Sequence, residues 1–120
     1  MAGMEVKSFD SPDETRPFEG KGQVEIVSIA GQAVGRATFE PGWKWSTNVK
    51  PIAGTDSCQA DHLGFVVSGR MRVYMNDGSE LEVGAGELMA IPPGHDAEVI
   101  GDENCVTIDW GQFGDYAKRK

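Results

Sequence analysis

Short runs of apolar residues, separated by turns rich in glycine and proline, extend along most of the chain. Residues 22–31, GQVEIVSIAG, and residues 32–42, QAVGRATFEPG, each predict one strand, with Ala30 and Gly31 forming the turn between them. Residues 43–49, WKWSTNV, alternate large apolar with polar side chains. This alternation predicts a further, half-buried strand.

The clearest β pattern lies between residues 62 and 110. HLGFVVSG predicts a buried strand, and RMRVYM alternates so that Met71, Val73 and Met75 share one face. Asn76-Asp77-Gly78 predicts a hairpin turn because these residue types tolerate positive φ. The remaining strands and their turns are predicted in SELEV, GAGELMAIPPG, HDAEVIG and ENCVTIDWG.

Short strands at this spacing predict an all-β sandwich or barrel. We find no helical stripe, internal repeat or second domain in the sequence, and a length of 120 residues is typical of one domain. Residues 1–20 are polar and contain Pro12 and Pro17, which predicts an N-terminal arm or irregular lead-in. The predicted barrel domain is residues 21–120.

The composition limits the partners that we expect. Nineteen acidic and eleven basic residues give a net charge of −8, which disfavours binding to nucleic acid or to an anionic membrane. No run approaches the roughly 20 apolar residues of a membrane span, and the N-terminus lacks the apolar core of a secretory signal. We therefore expect a cytoplasmic protein whose two cysteines, Cys58 and Cys105, remain free thiols.

The chain resembles the cupin family of small β-barrels, also called RmlC-like, over roughly residues 35–111. EPGWKW is similar to the family's Pro-Gly entry to its first motif. FVVSGRMRVYMNDGSELEVGAGELMAIPPG is similar to its series of strands, glycine turns and Pro-x-Gly. The resemblance implies a single-domain, cupin-type double-stranded β-helix, or jelly-roll barrel. It implies no single function, because cupins include isomerases, dioxygenases, decarboxylases, lyases, sugar binders and seed-storage proteins.

The resemblance also locates a candidate metal site. Metal-binding cupins usually present His-x-His, then a Glu three or four residues on, then a Gly seven residues after the Glu. Counting back seven residues from Gly69 places His62 at the glutamate position. Counting back four more places Cys58 at the second histidine position and Asp56 at the first. A cysteine and a histidine therefore occupy two ligand positions of this motif.

The second cupin motif is altered in this chain. Its Pro-x-Gly is present, but Ala97 stands where the family has a histidine, and the nearest histidine is His95. Because residues two apart in a strand face the same way, His95 and Ala97 share a face, and Asp96 and Glu98 face outward. His95 is thus the candidate ligand from this motif.

Cys58, His62 and His95 are the predicted metal ligands. One thiolate and two imidazoles suit Zn²⁺ best, with Fe²⁺ and Ni²⁺ as alternatives, and leave one position open for water or substrate. Asp56 is predicted as a fourth ligand or as a residue that orients an imidazole. The predicted ligand pocket contains Trp45, Asp56 and Met89.

Other interpretations remain open from the sequence alone. Cys58 also fits a small buried hydrophobic residue, His62 and His95 fit residues that bind backbone groups, and alternating tryptophans fit an ordinary core. Three functions follow: a metal-dependent enzyme on a small oxygen-rich metabolite, a non-catalytic module that binds or senses a small molecule, or a stress or storage protein without a specific ligand.

The sequence also predicts a homodimer. LGFVV, residues 63–67, is apolar on both faces, so one face fills the barrel and the other needs a cover. Pairing of residues 22–31 with the same strand of a second copy, across a two-fold axis, would also protect an open sheet edge.

Overall fold

The computed structural model describes residues 3–110 and Ala117. The end of the predicted barrel domain, residues 111–116 and 118–120, lies outside the described residues. None of the described helices is long and apolar enough to cross a membrane. In chain order the elements are β1 (Glu14–Pro17), β2 (Gly22–Ile29), β3 (Gln32–Phe39), α1 (Trp45–Asn48), α2 (Lys50–Ala53), β4 (His62–Ser68), β5 (Arg70–Met75), β6 (Glu80–Gly84), β7 (Leu88–Ile91), β8 (His95–Val99) and β9 (Cys105–Asp109).

Two antiparallel sheets form the barrel. The larger has six strands in the order β1-β2-β3-β9-β4-β7, and the smaller has three in the order β6-β5-β8. The last strand, β9, lies between β3 and β4, so the two ends of the barrel sequence meet in one sheet. The predicted all-β jelly-roll barrel is confirmed.

Inward side chains of both sheets fill the space between them. Along β5, Met71 and Val73 are buried, as the alternation predicted. At one end of the core the ring of Phe39 stacks on Phe18 at 5.4 Å and meets Trp43 at 4.4 Å between ring centroids. Burial of one such aromatic side chain is worth about 2–3 kcal/mol. These rings therefore fix the position of Trp43, shortly before α1.

Both predicted hairpin turns are present. Ala30 and Gly31 have φ values of 50° and 76°, and the pairing of Ile29 with Gln32 makes this a two-residue turn. Gly78 has φ of 93°, and its N–H donates to the carbonyl of Met75 at 3.0 Å. The positive φ values explain why glycine stands at positions 31 and 78.

The predicted strand at residues 43–49 is wrong, because this segment contains the helical turn α1. Trp43 and Trp45 are both buried, but the backbone becomes helical at Trp45. The Asn48 side chain accepts a hydrogen bond from the Lys44 N–H at 3.0 Å, and the Asp96 carboxylate accepts one from the Ser46 N–H at 3.1 Å. These side chains satisfy backbone donors that a strand would have paired.

The predicted N-terminal arm contains a strand. β1 pairs with β2 in an antiparallel register that joins Glu14 to Ile26. As a result β2 lies between β1 and β3, and the predicted dimer contact through an open edge of residues 22–31 is wrong. The homodimer itself stays a prediction.

Candidate metal centre

The backbone of Cys58 forms hydrogen bonds with the start of β8. Its N–H donates to the carbonyl of His95 at 2.7 Å, and its carbonyl accepts from the N–H of Gly94 at 2.7 Å. Gly94 adopts φ of 95°, a conformation that favours glycine. The bend after Pro93 therefore places Cys58 and His95 opposite each other in an isolated antiparallel bridge.

His62 begins β4, on the other sheet. Strand β4 pairs with β9 so that Gly64 lies opposite Asp109, and both residues face the barrel interior. The Nδ1 atom of His62 lies 2.5 Å from Oδ2 of Asp109, and both side chains are largely buried. Strand pairing thus brings together a histidine and a carboxylate that are 47 positions apart in sequence.

The structure brings the three predicted ligands together. One ligand atom from each of Cys58, His62 and His95 lies within 4.8 Å of the other two. The Cys58 Sγ atom is 3.8 Å from His62 Nε2, and the two imidazole rings meet edge to face at 5.2 Å between centroids. Cys58 and His95 are almost fully buried. A cation at this point would be surrounded by protein on most sides.

The Nδ1 atom of each imidazole, on the side of the ring away from Cys58, forms a hydrogen bond with an oxygen. The Nδ1 atom of His95 donates to the carbonyl of Pro92 at 2.8 Å, while that of His62 bonds Asp109. Because a carbonyl can only accept, Nδ1 of His95 carries a hydrogen, and Nε2 is the ring nitrogen that is left to bind a metal. Histidines that bind metals usually donate their other N–H to a carboxylate or carbonyl in this way. The donor set and its orientation therefore fit a metal ion.

The electrostatic environment of Cys58 and His62 also favours a thiolate at Cys58. Burial alone would raise the pKa of Cys58, but hydrogen bonds and positive charge from His62 and His95 outweigh it and lower this pKa to about 6. Burial alone would lower the pKa of His62, but Asp109 and Cys58 raise it to about 9. Without a metal, the pair is therefore a thiolate facing an imidazolium at neutral pH.

A small cavity of about 40 Å³ lies beside these side chains. The predicted pocket residues Trp45 and Met89 both line it. Ala97 lines it next to His95, on the face that the strand alternation predicted. The other lining residues are Val24, Ala37, Phe39, Trp43, His62, Met71, Val73, Ile91, Thr107 and Asp109.

Asp56 does not lie at this site. Its side chain is fully exposed, and its carboxylate is 4.0 Å from Lys50 Nζ. The structure therefore places the predicted fourth ligand or orienting residue on the surface. Asp109, which the sequence reasoning missed, orients His62 instead. The sequence feature that could have identified Asp109 is the alternation of CVTID, which puts Asp109 on the same inward face as Cys105 and Thr107.

Comparisons with known proteins agree with this architecture. Residues 55–111 match the family model Cupin_2, described as "Cupin domain". No curated protein matches the chain at a significant level. Among solved structures, a conserved protein with a double-stranded beta-helix domain from Klebsiella pneumoniae is 18% identical, with 95% of this chain and 94% of that chain covered and a TM-score of 0.62.

Two further similar structures come from named proteins. KdgF from a Halomonas species is 18% identical, with 90% of this chain and 91% of that chain covered and a TM-score of 0.61. Oxalate decarboxylase from Lactobacillus farciminis, solved as a formate complex, is 18% identical, with 94% of this chain and 35% of that chain covered and a TM-score of 0.61. Identities this low show a shared fold alone. The family match identifies a cupin domain at residues 55–111, and the two antiparallel sheets form the cupin barrel.

Proposed function

We propose that this cupin binds one divalent transition metal through Cys58, His62 and His95, and uses it to hold a small oxygen-rich metabolite. The observation that carries the proposal is the convergence within 4.8 Å of three ligand atoms, two from the buried residues Cys58 and His95 and one from the partly buried His62. Zn²⁺ is the favoured ion, because one thiolate and two imidazoles match its ligand preference, with Fe²⁺ and Ni²⁺ as alternatives.

The chain's own groups prepare the site for a cation. The lowered pKa of Cys58 supplies a thiolate at neutral pH, which is the form that binds metals. The raised pKa of His62 means that a metal must displace a proton from this imidazole, so binding is expected to release a proton. Asp109 then holds the neutral ring through Nδ1 and keeps Nε2 directed at the centre.

When bound, the metal would supply Lewis acidity toward a carbonyl or carboxylate oxygen. Three protein ligands leave one coordination position for such an oxygen.

The cavity restricts the size of that ligand. Its volume is only about 40 Å³. This volume favours a short carboxylate, hydroxy acid or enol over a whole sugar ring. Most of the wall is apolar, so a ligand with one polar end and a small apolar remainder matches it best.

A second candidate function is a non-catalytic module that binds or senses such a molecule. The observation behind it is the lack of a separate acid or base: in the described part of the chain, the only ionisable residues of the cavity wall are His62, His95 and Asp109. If the two histidines bind the metal and Asp109 holds one of them, none is left to transfer a proton. This alternative needs the same metal site but no turnover.

Elemental analysis tests the metal proposal. Protein purified without a metal-affinity column and then reconstituted with Zn²⁺, Fe²⁺ or Ni²⁺ should retain close to one equivalent of one ion after dialysis. Less than about a tenth of an equivalent of every ion would overturn the proposal. Thermal-shift measurements of the loaded protein with acetate, glycolate and pyruvate then test the ligand class. Consumption of a stabilising compound, followed by NMR, would indicate an enzyme, and stabilisation without consumption would indicate the module.

The thiol chemistry also bears on location. A reduced Cys58 is needed for the proposed ligand set, and thiols stay reduced in the cytoplasm. We therefore keep a cytoplasmic location as part of the proposal.

A further inference from the structure

An open groove separates the two sheets along their edge strands β6 and β7. Strand β6 is an edge strand of the smaller sheet, and β7 is an edge strand of the larger one. Two cavities of about 270 and 180 Å³ lie along this gap and share Leu81, Ala90 and Ile91 as lining residues. Asp77 lines only the first cavity, and Glu87 lines only the second. The two cavities together are called here the β6–β7 groove.

The β6 side of the groove carries uncovered apolar surface. Leu81 lies opposite the buried Val73 of β5, so it occupies the inner face of the smaller sheet. Val83, two residues further along β6, occupies the same face and is buried, but Leu81 is 48% exposed. A core-facing side chain is thus left uncovered at the groove. Exposed apolar surface of this kind is available to a further element.

The β7 side of the groove presents unpaired backbone. The carbonyl of Glu87, just before β7, accepts a hydrogen bond from the Val66 N–H of β4 at 3.0 Å. Because backbone groups of an antiparallel strand alternate in direction, those of Leu88 and Ala90 face away from β4. In the described part of the chain, β7 pairs with no strand other than β4. An exposed edge of this kind is a template for one more strand.

The charge at the groove is acidic. Asp77, Glu80 and Glu87 line it, and none of these three carboxylates has an ion-pair partner among the described residues. Glu82 also lines the groove, but two arginines of β5 pair with it. No described lysine or arginine lines either cavity. The groove therefore repels acidic segments and attracts basic ones.

We infer that the β6–β7 groove binds an extended basic segment of a partner protein, which adds as a strand to the open edge of β7. The four residues of β7 span about 13 Å at about 3.3 Å per residue, so the contact would involve about four to six residues of the partner. Backbone hydrogen bonds would provide affinity. Alternate side chains would cover Leu81 or reach the three unpaired carboxylates, which would provide specificity.

Fluorescence anisotropy tests the groove with labelled synthetic peptides of about six residues. The basic probe alternates valine with lysine, and its matched control alternates valine with glutamate. The basic probe should bind with a Kd below about 1 mM, and the acidic control should bind at least about tenfold more weakly. A third probe repeats the basic sequence with methylated backbone nitrogens. It lacks the donors for strand pairing and should also bind at least about tenfold more weakly.

Variants of the protein separate strand pairing from charge. Ala90→Pro removes an edge N–H that faces away from β4, and should weaken binding of the basic probe at least about fivefold. Ala90→Val keeps this N–H and should bind like the wild-type protein. Glu80→Lys should weaken binding at least about threefold at low salt. Its matched control, Glu40→Lys at an exposed position after β3, makes the same change in net charge and should have no effect.

Amide hydrogen exchange followed by NMR locates the bound peptide. The N–H groups of Leu88 and Ala90 should exchange at least about tenfold more slowly when the basic probe is bound, because it pairs with them. Circular dichroism melts check that each variant folds. If Ala90→Pro does not fold, the methylated probe on the wild-type protein decides the same question.

Four results would each overturn the inference: no binding of the basic probe at about 1 mM, equal binding of the acidic control, equal binding of the methylated probe, or unchanged exchange at Leu88 and Ala90. Equal binding of the acidic control would indicate an apolar partner, and equal binding of the methylated probe would indicate contact through charge alone. The inference does not rest on the proposed metal site. Peptide binding is measured with and without Zn²⁺, so failure of either proposal leaves the other standing.

Discussion

Cys58 and Cys105 are both buried free thiols, yet their surroundings are opposite. Burial raises the pKa of both, and at Cys105 the nearby Glu103 adds to it, so that this pKa reaches about 11. At Cys58 the bonds and charges of His62 and His95 reverse the effect, and the pKa is about 6. Burial therefore does not decide what a cysteine does here. The side chains that neighbouring strands bring to the sulfur decide it.

The backbone around each cysteine explains the difference. Cys105 begins β9 opposite Phe39, and a Cβ atom added at Gly69 would lie only 2.6 Å from its Cα atom. Cys105 is thus a packing residue under a tight turn. Cys58 instead bridges to β8 at the histidine that follows the Pro-Gly bend. We expect the experiments below to separate a metal-binding cysteine from a structural one.

The largest expected effect is on metal affinity. Cys58→Ala should weaken Zn²⁺ binding by more than about 100-fold, because loss of a direct ligand exceeds the 10–100-fold effect typical of residues behind the ligands. Cys105→Ala should bind Zn²⁺ like the wild-type protein. Competition with a chromophoric chelator measures both affinities. Equal losses in the two variants would remove the distinction drawn here.

A second change tests how the site is oriented. Asp109→Asn should weaken Zn²⁺ binding by about 10–100-fold, because the amide is a poorer acceptor for the Nδ1 hydrogen of His62. Asp56→Asn is the matched control and should change nothing, since Asp56 is fully exposed. A larger loss from Asp56→Asn than from Asp109→Asn would restore the role that the sequence predicted for Asp56.

The pH dependence of stability in the metal-free protein gives a third test. The folded pKa of Cys58, about 6, lies below its ordinary value of 9.0, so this group makes stability rise with pH between these values. The folded pKa of His62, about 9, lies above its ordinary value of 6.5, so this group makes stability fall over nearly the same range. In the wild-type protein the two slopes largely cancel.

Cys58→Ala removes the rising contribution and leaves the part of the falling one that Asp109 causes. Its free energy of unfolding should therefore drop progressively below that of the wild-type protein as pH rises above 6.5, by up to about 1 kcal/mol per pH unit. Urea titrations at several pH values measure this gap. Cys105→Ala should show a constant gap below about pH 8, because Cys105 stays almost fully neutral there in both states. A constant gap for Cys58→Ala as well would contradict the thiolate–imidazolium pair.

The smallest expected effect is on stability alone. Cys105→Ala should lower the free energy of unfolding by about 1 kcal/mol, the cost of losing one buried sulfur and leaving a small cavity. The same urea titrations at pH 7 give this value. A gain in stability would mean that Cys105 is strained rather than well packed.

The barrel and the ligand cluster were predictable from sequence because their signals are local. Alternation in RMRVYM and the Asn-Asp-Gly turn identify a hairpin without any distant contact. The spacing before Gly69 placed Cys58 and His62 at two ligand positions of the family's pattern, and His95 was the histidine nearest to the third position, which Ala97 occupies. The structure then brings these side chains together.

The errors arose where distant residues decide the outcome. The helical turn at Trp45–Asn48 depends on the Asp96 carboxylate, which lies 50 positions from Ser46 in sequence. Asp56 was predicted because it stands at the family's first histidine position, whereas the pairing of β4 with β9 brings Asp109 to His62. The position of β2 inside the sheet depends on β1, a short strand within a polar segment that has no alternation to reveal it.

X-ray absorption at the zinc edge tests the central claim most directly, because it reads the atoms bound to the metal in the intact protein. The account predicts one sulfur at about 2.3 Å and two imidazole nitrogens at about 2.0–2.1 Å, with the sulfur shell lost in Cys58→Ala and retained in Cys105→Ala. A first shell of only nitrogen and oxygen in the wild-type protein would contradict it.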